Sequence, residues 1–110
     1  MDQGKFSGHL SEMTAPSFQL AFGERMRALR RARGYSQEVF AARANLDRSA
    51  YGKLERGEIN VSLLTLARIA VTLKLTLSQV LEGIELDAAE VQARPRSQRG
   101  PQPMEGRDEI

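Results

Sequence analysis

The chain has 110 residues, a length that suits one domain. It holds no cysteine and a single histidine, His9 in a polar amino-terminal segment, which excludes disulfides, thiolate zinc sites and cysteine nucleophiles; no metal and no other cofactor is expected. No apolar run approaches the ~18 residues of a membrane span and the start lacks the apolar centre of a signal peptide, so a cytoplasmic protein with no membrane contact is expected.

Residues 1–16 are rich in glycine, serine and polar side chains and read as a flexible lead that stops at a helix start, Thr14-Ala15-Pro16-Ser17. Phe18, Phe22, Met26 and Leu29 then recur every three or four residues, which predicts a helix with one apolar stripe, arginine on its other faces, and Gly34 as its left-handed cap. Residues 36–57 predict two short helices around a tight turn. Ser36 caps the first, Asn45 takes the left-handed conformation that the turn needs, and Asp47 caps the second. Ser62 caps a further helix with the stripe Leu63, Leu66, Ile69, Ala70 and Leu73, and Thr76 with Gln79 forms a capping box for a last short helix to about Glu82. The expected fold class is all-α, with five helices over residues 17–83 and flexible tails on both sides. Residues 84–110 read as a polar tail. Helix can extend to about residue 93, but residues 94–103 hold two kinds of helix breaker and nothing to bury, so the end of the chain is expected to be disordered.

The formal charge of +2 is unevenly spread: residues 17–83 carry 11 Lys/Arg against 6 Asp/Glu, whereas residues 1–16 sum to −1 and residues 84–110 to −2. The basic charge therefore coincides with the helices around Asn45. Two helices joined in this way are a helix-turn-helix, and the second would carry Arg48, Ser49, Gly52 and Lys53 on one face with Tyr51 and Leu54 on the other. A polar, cationic outward face is what a major groove requires.

Several ordered motifs resemble the Cro/C1-type (XRE) helix-turn-helix family, the phage-repressor-like DNA-binding domains, from about Phe18 to Gly83. They are Arg30 and Gly34 ahead of Ser36-Gln37, then Phe40-Ala41, Leu46-Asp47-Arg48-Ser49, Leu54-Glu55-Arg56-Gly57, and Asn60 with Ser62. Asn45-Leu46-Asp47-Arg48-Ser49 with Glu55-Arg56-Gly57 and Asn60-Val61-Ser62 is also similar to restriction-modification controller proteins. The resemblance implies double-stranded DNA as partner and a homodimer. It implies that Gln37 bridges a phosphate and the recognition helix, that Arg56 and Asn60 grip the flanking backbone, and that Arg30 late in helix 1 pairs with Glu55 late in helix 3. Arg43, near the end of helix 2, is a further phosphate candidate.

The residues themselves leave some alternatives open. Arg48 can present its planar fork to guanine O6 and N7, although a phosphate contact would also suit a cation there. Lys53 points less directly and can reach a base edge or a phosphate. Gly52 costs about 1 kcal/mol in a helix interior relative to alanine, which hints at close approach of the DNA or is neutral. Gln37 lies in a first helical turn, whose free amides attract an anion. The expected core is aliphatic: Phe22, Met26, Leu29, Phe40, Tyr51, Leu54, Leu66, Ile69, Ala70 and Leu73, each larger side chain contributing about 1.5–3 kcal/mol if fully buried. Tyr51 is assigned to packing ahead of DNA contact, although it has the weakest claim of these to being purely structural, because a tyrosine hydroxyl needs a partner or the surface.

One module of this size offers few base contacts, whereas two on a two-fold axis read a palindrome with half-sites about one helical turn apart. Leu75, Leu77, Val80, Leu81 and Ile84 offer apolar surface for that dimer contact, and residues 84–93 could add an arm to it. The leading expectation is a sequence-specific DNA-binding transcriptional regulator, a repressor or autoregulator. The alternative is an antitoxin or adaptor whose tail binds a partner protein while the helix-turn-helix autoregulates the operon. No paired nucleophile and base, phosphate loop or metal set speaks for an enzyme.

Overall fold

Helix caps and turn residues divide residues 15–95, which this computed structural model describes, into six α-helices with no strand among them. They are α1 (Ser17–Ala32), α2 (Gln37–Arg43), α3 (Arg48–Glu55), α4 (Leu63–Leu73), α5 (Leu77–Val80) and α6 (Ala88–Ala93). The expected lead at 1–16 and the expected disordered end from 94 onward lie outside the described residues except at positions 15, 16, 94 and 95.

The boundaries are set locally. The Ser36 hydroxyl accepts from the Val39 amide at 3.1 Å, Asp47 Oδ2 from Ala50 at 3.0 Å and Ser62 Oγ from Thr65 at 3.1 Å, each satisfying an amide that the first helical turn leaves free. Between α2 and α3 the chain reverses at Asn45, φ 58°, and the Leu46 amide reaches back to the Ala41 carbonyl at 2.8 Å. Gly34 closes α1 at φ 77°. Thr76 and Gln79 form the reciprocal capping box of α5.

One apolar cluster joins the helices: Phe22, Met26, Phe40, Ala41, Ala44, Tyr51, Leu54, Ile69, Ala70, Leu73 and Val80 are buried, with Leu29 and Leu66 packed at its edge. Tyr51 is only 1% exposed, so it belongs to the core. Its ring is tilted against Phe40 at 5.2 Å, and Phe40 meets Tyr35 at 5.8 Å. Leu63 departs from the expected stripe and is 70% exposed, because the first residue of α4 projects ahead of the core that Ile69, Ala70 and Leu73 enter.

α5 stops at Val80, short of Glu82. The chain turns off at Gly83, left-handed at φ 81°, and Arg25 of α1 serves the carbonyls that the helix end leaves free: its Nε donates to the Val80 carbonyl at 2.9 Å and its Nη2 to the Gln79 carbonyl at 2.5 Å. Beyond the turn at 81–83, Ile84 packs against the core, and Asp87 caps α6. Glu90 of α6 then accepts from both the amide and the hydroxyl of Ser17 at 2.7 Å, supplying the start of α1 with an acceptor that Pro16 does not provide. That contact, with Ser17 as donor, holds the Glu90 carboxyl below its ordinary range.

α1 crosses α3 at Gly23, where the two backbones come close. A Cβ there would lie 2.8 Å from the Leu54 carbonyl oxygen and closer still to that of Glu55. Both obstacles are main chain and cannot rotate aside, so Gly23→Ala is expected to destabilise the domain by about 1–3 kcal/mol despite alanine's better helix propensity. A denaturant midpoint equal to or above that of the parent protein would show that α1 and α3 part at no cost.

Candidate nucleic-acid interface

A buried charge network fixes the second helix of the helix-turn-helix. Glu55, the last residue of α3, is 1% exposed, and its carboxylate accepts from Arg30 Nε at 2.7 Å, Arg30 Nη2 at 3.0 Å and Gln37 Nε2 at 2.8 Å. Arg27 adds a second cation at 3.6 Å, and Arg30 Nη1 donates to the Tyr35 carbonyl at 2.8 Å. The bidentate fork and the amide satisfy a carboxylate that water cannot reach. Burial alone would raise the Glu55 pKa; donation from Arg30 and Gln37, with the Tyr51 hydroxyl close by, outweighs it and lowers the value to about 2. The Tyr51 hydroxyl makes no well-formed hydrogen bond among the described residues, and burial first, then Glu55 beside it, pushes its ionisation upward.

With its end tied to α1 and α2, α3 turns Tyr51 and Leu54 inward and leaves Arg48, Ser49 and Lys53 exposed. Gly52 is on the outward side but buried, covered by neighbouring side chains instead of standing open. Arg56 follows α3 directly, and its Nε and Nη2 donate to the Glu58 carboxylate at 2.9 and 3.2 Å. Asn60 is exposed in the loop beyond. Gln37 opens α2; one hydrogen of its side-chain amide goes to Glu55, and the other is left for a further acceptor. Arg43, at the end of α2, stacks its guanidinium 5.3 Å from the Tyr35 ring centroid.

The five residues expected at a dimer contact are placed differently. Val80 is fully buried and so supports α5 from beneath, with no surface to offer a partner. Leu75 and Ile84 pack on the core, and only Leu77 at 39% and Leu81 at 38% expose substantial apolar area. The outer face of α4 was not singled out by periodicity, yet Leu64 and Val71 are 59% and 76% exposed. The signal was present in the sequence: α4 is apolar on nearly every side, which a helix with one wet face does not need.

A capped two-helix unit with an outward cationic second helix, clamped by a buried Arg–Glu pair, defines a helix-turn-helix DNA-binding domain. The chain belongs to the helix-turn-helix family of XRE type, whose profile matches residues 26–80, and so to the DNA-binding transcriptional regulators. It is 41% identical to the control protein C.MunI of Mycoplasma sp over 68 residues, covering 61% of this chain and 92% of that one. The regulator DdrOP3 of Deinococcus deserti is 40% identical over 62 residues, 56% of this chain and 48% of its own length. Among solved structures, the restriction-modification controller protein C.AhdI from Aeromonas hydrophila shares 42% identity and superimposes with a TM-score of 0.55 over 56% of this chain and 94% of that one.

Acid should weaken the clamp in a defined window. Because the folded carboxyl of Glu55 titrates at about 2 against an ordinary 4.5, its contribution is complete above pH 4.5 and is lost as pH falls from there toward 2. The shift corresponds to on the order of 3 kcal/mol. Glu55→Ala is expected to lose about 3 kcal/mol or more at neutral pH, because Arg30 stays buried without its counter-charge. Urea unfolding from pH 7 to 2.5 checks both. A Glu55→Ala loss within about 0.5 kcal/mol, the range of ordinary surface sites, would contradict the clamp.

Proposed function

We propose that this protein is a sequence-specific regulator that binds a palindromic operator as a homodimer and represses or autoregulates transcription from it. The observation that carries this reading is the recognition helix α3, whose inner end is locked by Glu55 while Arg48, Ser49 and Lys53 face outward. In this reading Arg48 addresses a guanine edge and Ser49 and Lys53 add base-edge or phosphate contacts. Gln37, Arg43, Arg56 and Asn60 hold the flanking phosphates and set the register. Leu77 and Leu81 supply the dimer contact, and a two-fold axis through it gives half-sites about one helical turn apart. Similarity to C.MunI and C.AhdI over most of their lengths favours control of a restriction-modification operon as the physiological role.

Selection of bound duplexes from a random pool tests the reading directly. Recovery of an inverted repeat is expected; recovery of an asymmetric site would remove the dimer, and recovery of no preferred site would remove sequence-specific regulation. On the recovered operator, Arg48→Ala should lower discrimination at one base pair per half-site by about 1–3 kcal/mol and leave the other positions unchanged. Arg56→Ala should weaken specific and random DNA alike and reduce the slope of log affinity against log salt by about one. Uniform weakening by Arg48→Ala would transfer that residue to the phosphate contacts.

A further inference from the structure

Gly52 stands at the centre of α3's outward face, and the space where its side chain would be is occupied in an unusual way. Apart from the helix's own backbone, the nearest atoms to a Cβ at this position are Arg48 Nη1 at 3.2 Å, Arg56 Nη1 at 3.4 Å and Gln37 Oε1 at 3.7 Å. Residues 48, 52 and 56 are four apart and share one helix face, so the two arginines reach over the glycine from opposite sides. Two of the three groups are held from elsewhere. Arg56 is anchored by Glu58 through Nε and Nη2, and Gln37 by Glu55 through Nε2. Arg48 has no ion pair or hydrogen bond of its own among the described residues. Its guanidinium lies in the space that the missing side chain of Gly52 leaves open, beside the ends of Arg56 and Gln37.

We propose that Gly52 is a positioning residue for recognition: by leaving a notch in α3 it seats the Arg48 guanidinium over the middle of the helix and so sets which base pair Arg48 reads. This rests on the DNA-reading role of α3 given above. Gly52 itself then makes no DNA contact, since the side chains it seats cover it. A Cβ at 52 meets only the ends of flexible side chains, unlike one at Gly23, where main chain stands in the way. Substitution is therefore compatible with the fold, and alanine or valine improves helix propensity over glycine. What changes is the seat. Alanine lifts Arg48 by a few tenths of an ångström, and the branched side chain of valine fills the notch.

The test measures binding of the parent, Gly52→Ala, Gly52→Val, Arg48→Ala and the Arg48→Ala/Gly52→Val double variant to the selected operator and all its single-base variants, with thermal unfolding alongside. A bidentate base contact corresponds to about 5- to 150-fold in discrimination. Gly52→Val is expected to lose at least about fivefold at the Arg48-dependent base pair or to move that preference to a neighbouring pair, Gly52→Ala to lose less, and neither to lower the unfolding temperature. In the Arg48→Ala background the valine should change the profile less than twofold, because there is no guanidinium left to displace. An unchanged single-base profile in Gly52→Val would overturn the proposal while leaving the DNA-binding function intact. A loss of equal size with or without Arg48 would also overturn it, since the glycine would then touch DNA directly. Should valine lower the unfolding temperature, the alanine variant decides by the same two criteria. A parent protein that selects no site at all would instead remove the function on which the proposal rests.

Discussion

The interaction on which the rest depends is the buried pair between Arg30 and Glu55. Taking two charges out of water costs several kcal/mol per ion, and the pair is tolerable because both oxygens of Glu55 accept hydrogen bonds and the third nitrogen of Arg30 meets the Tyr35 carbonyl. Apolar pairs of similar volume often hold protein interiors as well as buried ions do. What the ions add is direction. A bidentate fork tolerates little rotation of α3 about its axis, whereas Leu54 or Tyr51 against Met26 and Phe40 could slide. The same carboxylate reaches Gln37, so α1, α2 and the outward face of α3 are referred to one buried point.

Helix ends do much of the remaining work, and they do it with side chains from other helices. Arg25 ends α5 and Glu90 of α6 begins α1, so the first and last described helices are joined by hydrogen bonds more than by apolar contact; no residue of α6 is buried. Glu90 places an anion where the α1 dipole is positive, and Arg25 places a cation at the carbonyl end of α5. Lys74 ends α4 at φ 60°, a left-handed position that glycine would occupy with less strain. The Leu75 amide is thereby directed back to the Ala70 carbonyl at 3.0 Å, and the chain turns toward Thr76.

What could be read from the sequence divides along physical lines. Ser36, Asp47, Ser62 and the Thr76–Gln79 pair act on amides two or three residues away, so their roles follow from local chemistry. Asn45 and Gly34 were legible for the same reason, since few residues accept positive φ. Arg30 and Glu55 are 25 residues apart, and only resemblance to a family connected them in advance. Gly23, Arg25 and Glu90 carried no local signal at all. Each serves a contact between segments distant in sequence, and nothing in a helical period marks a glycine that a second helix will cross. Val80 illustrates the opposite error: its type suited an interface, but burial in the monomer is decided by packing depth, which composition does not encode.

The two arginines at either end of the outward face of α3 stand in different electrostatic settings. Residues 17–83 carry a clear positive excess, and Arg56 directly follows α3, where the proposed reading puts a phosphate. Glu58 already occupies two of its donors from within the same chain. The pair is exposed and therefore weak, but a phosphate must displace or share with that carboxylate before it gains the full guanidinium. Among the described residues no carboxylate pairs with Arg48. In the proposed reading the competition from Glu58 would weaken a phosphate contact of Arg56 on specific and random duplexes alike, so it would lower total affinity and leave selectivity to the groups that reach base edges.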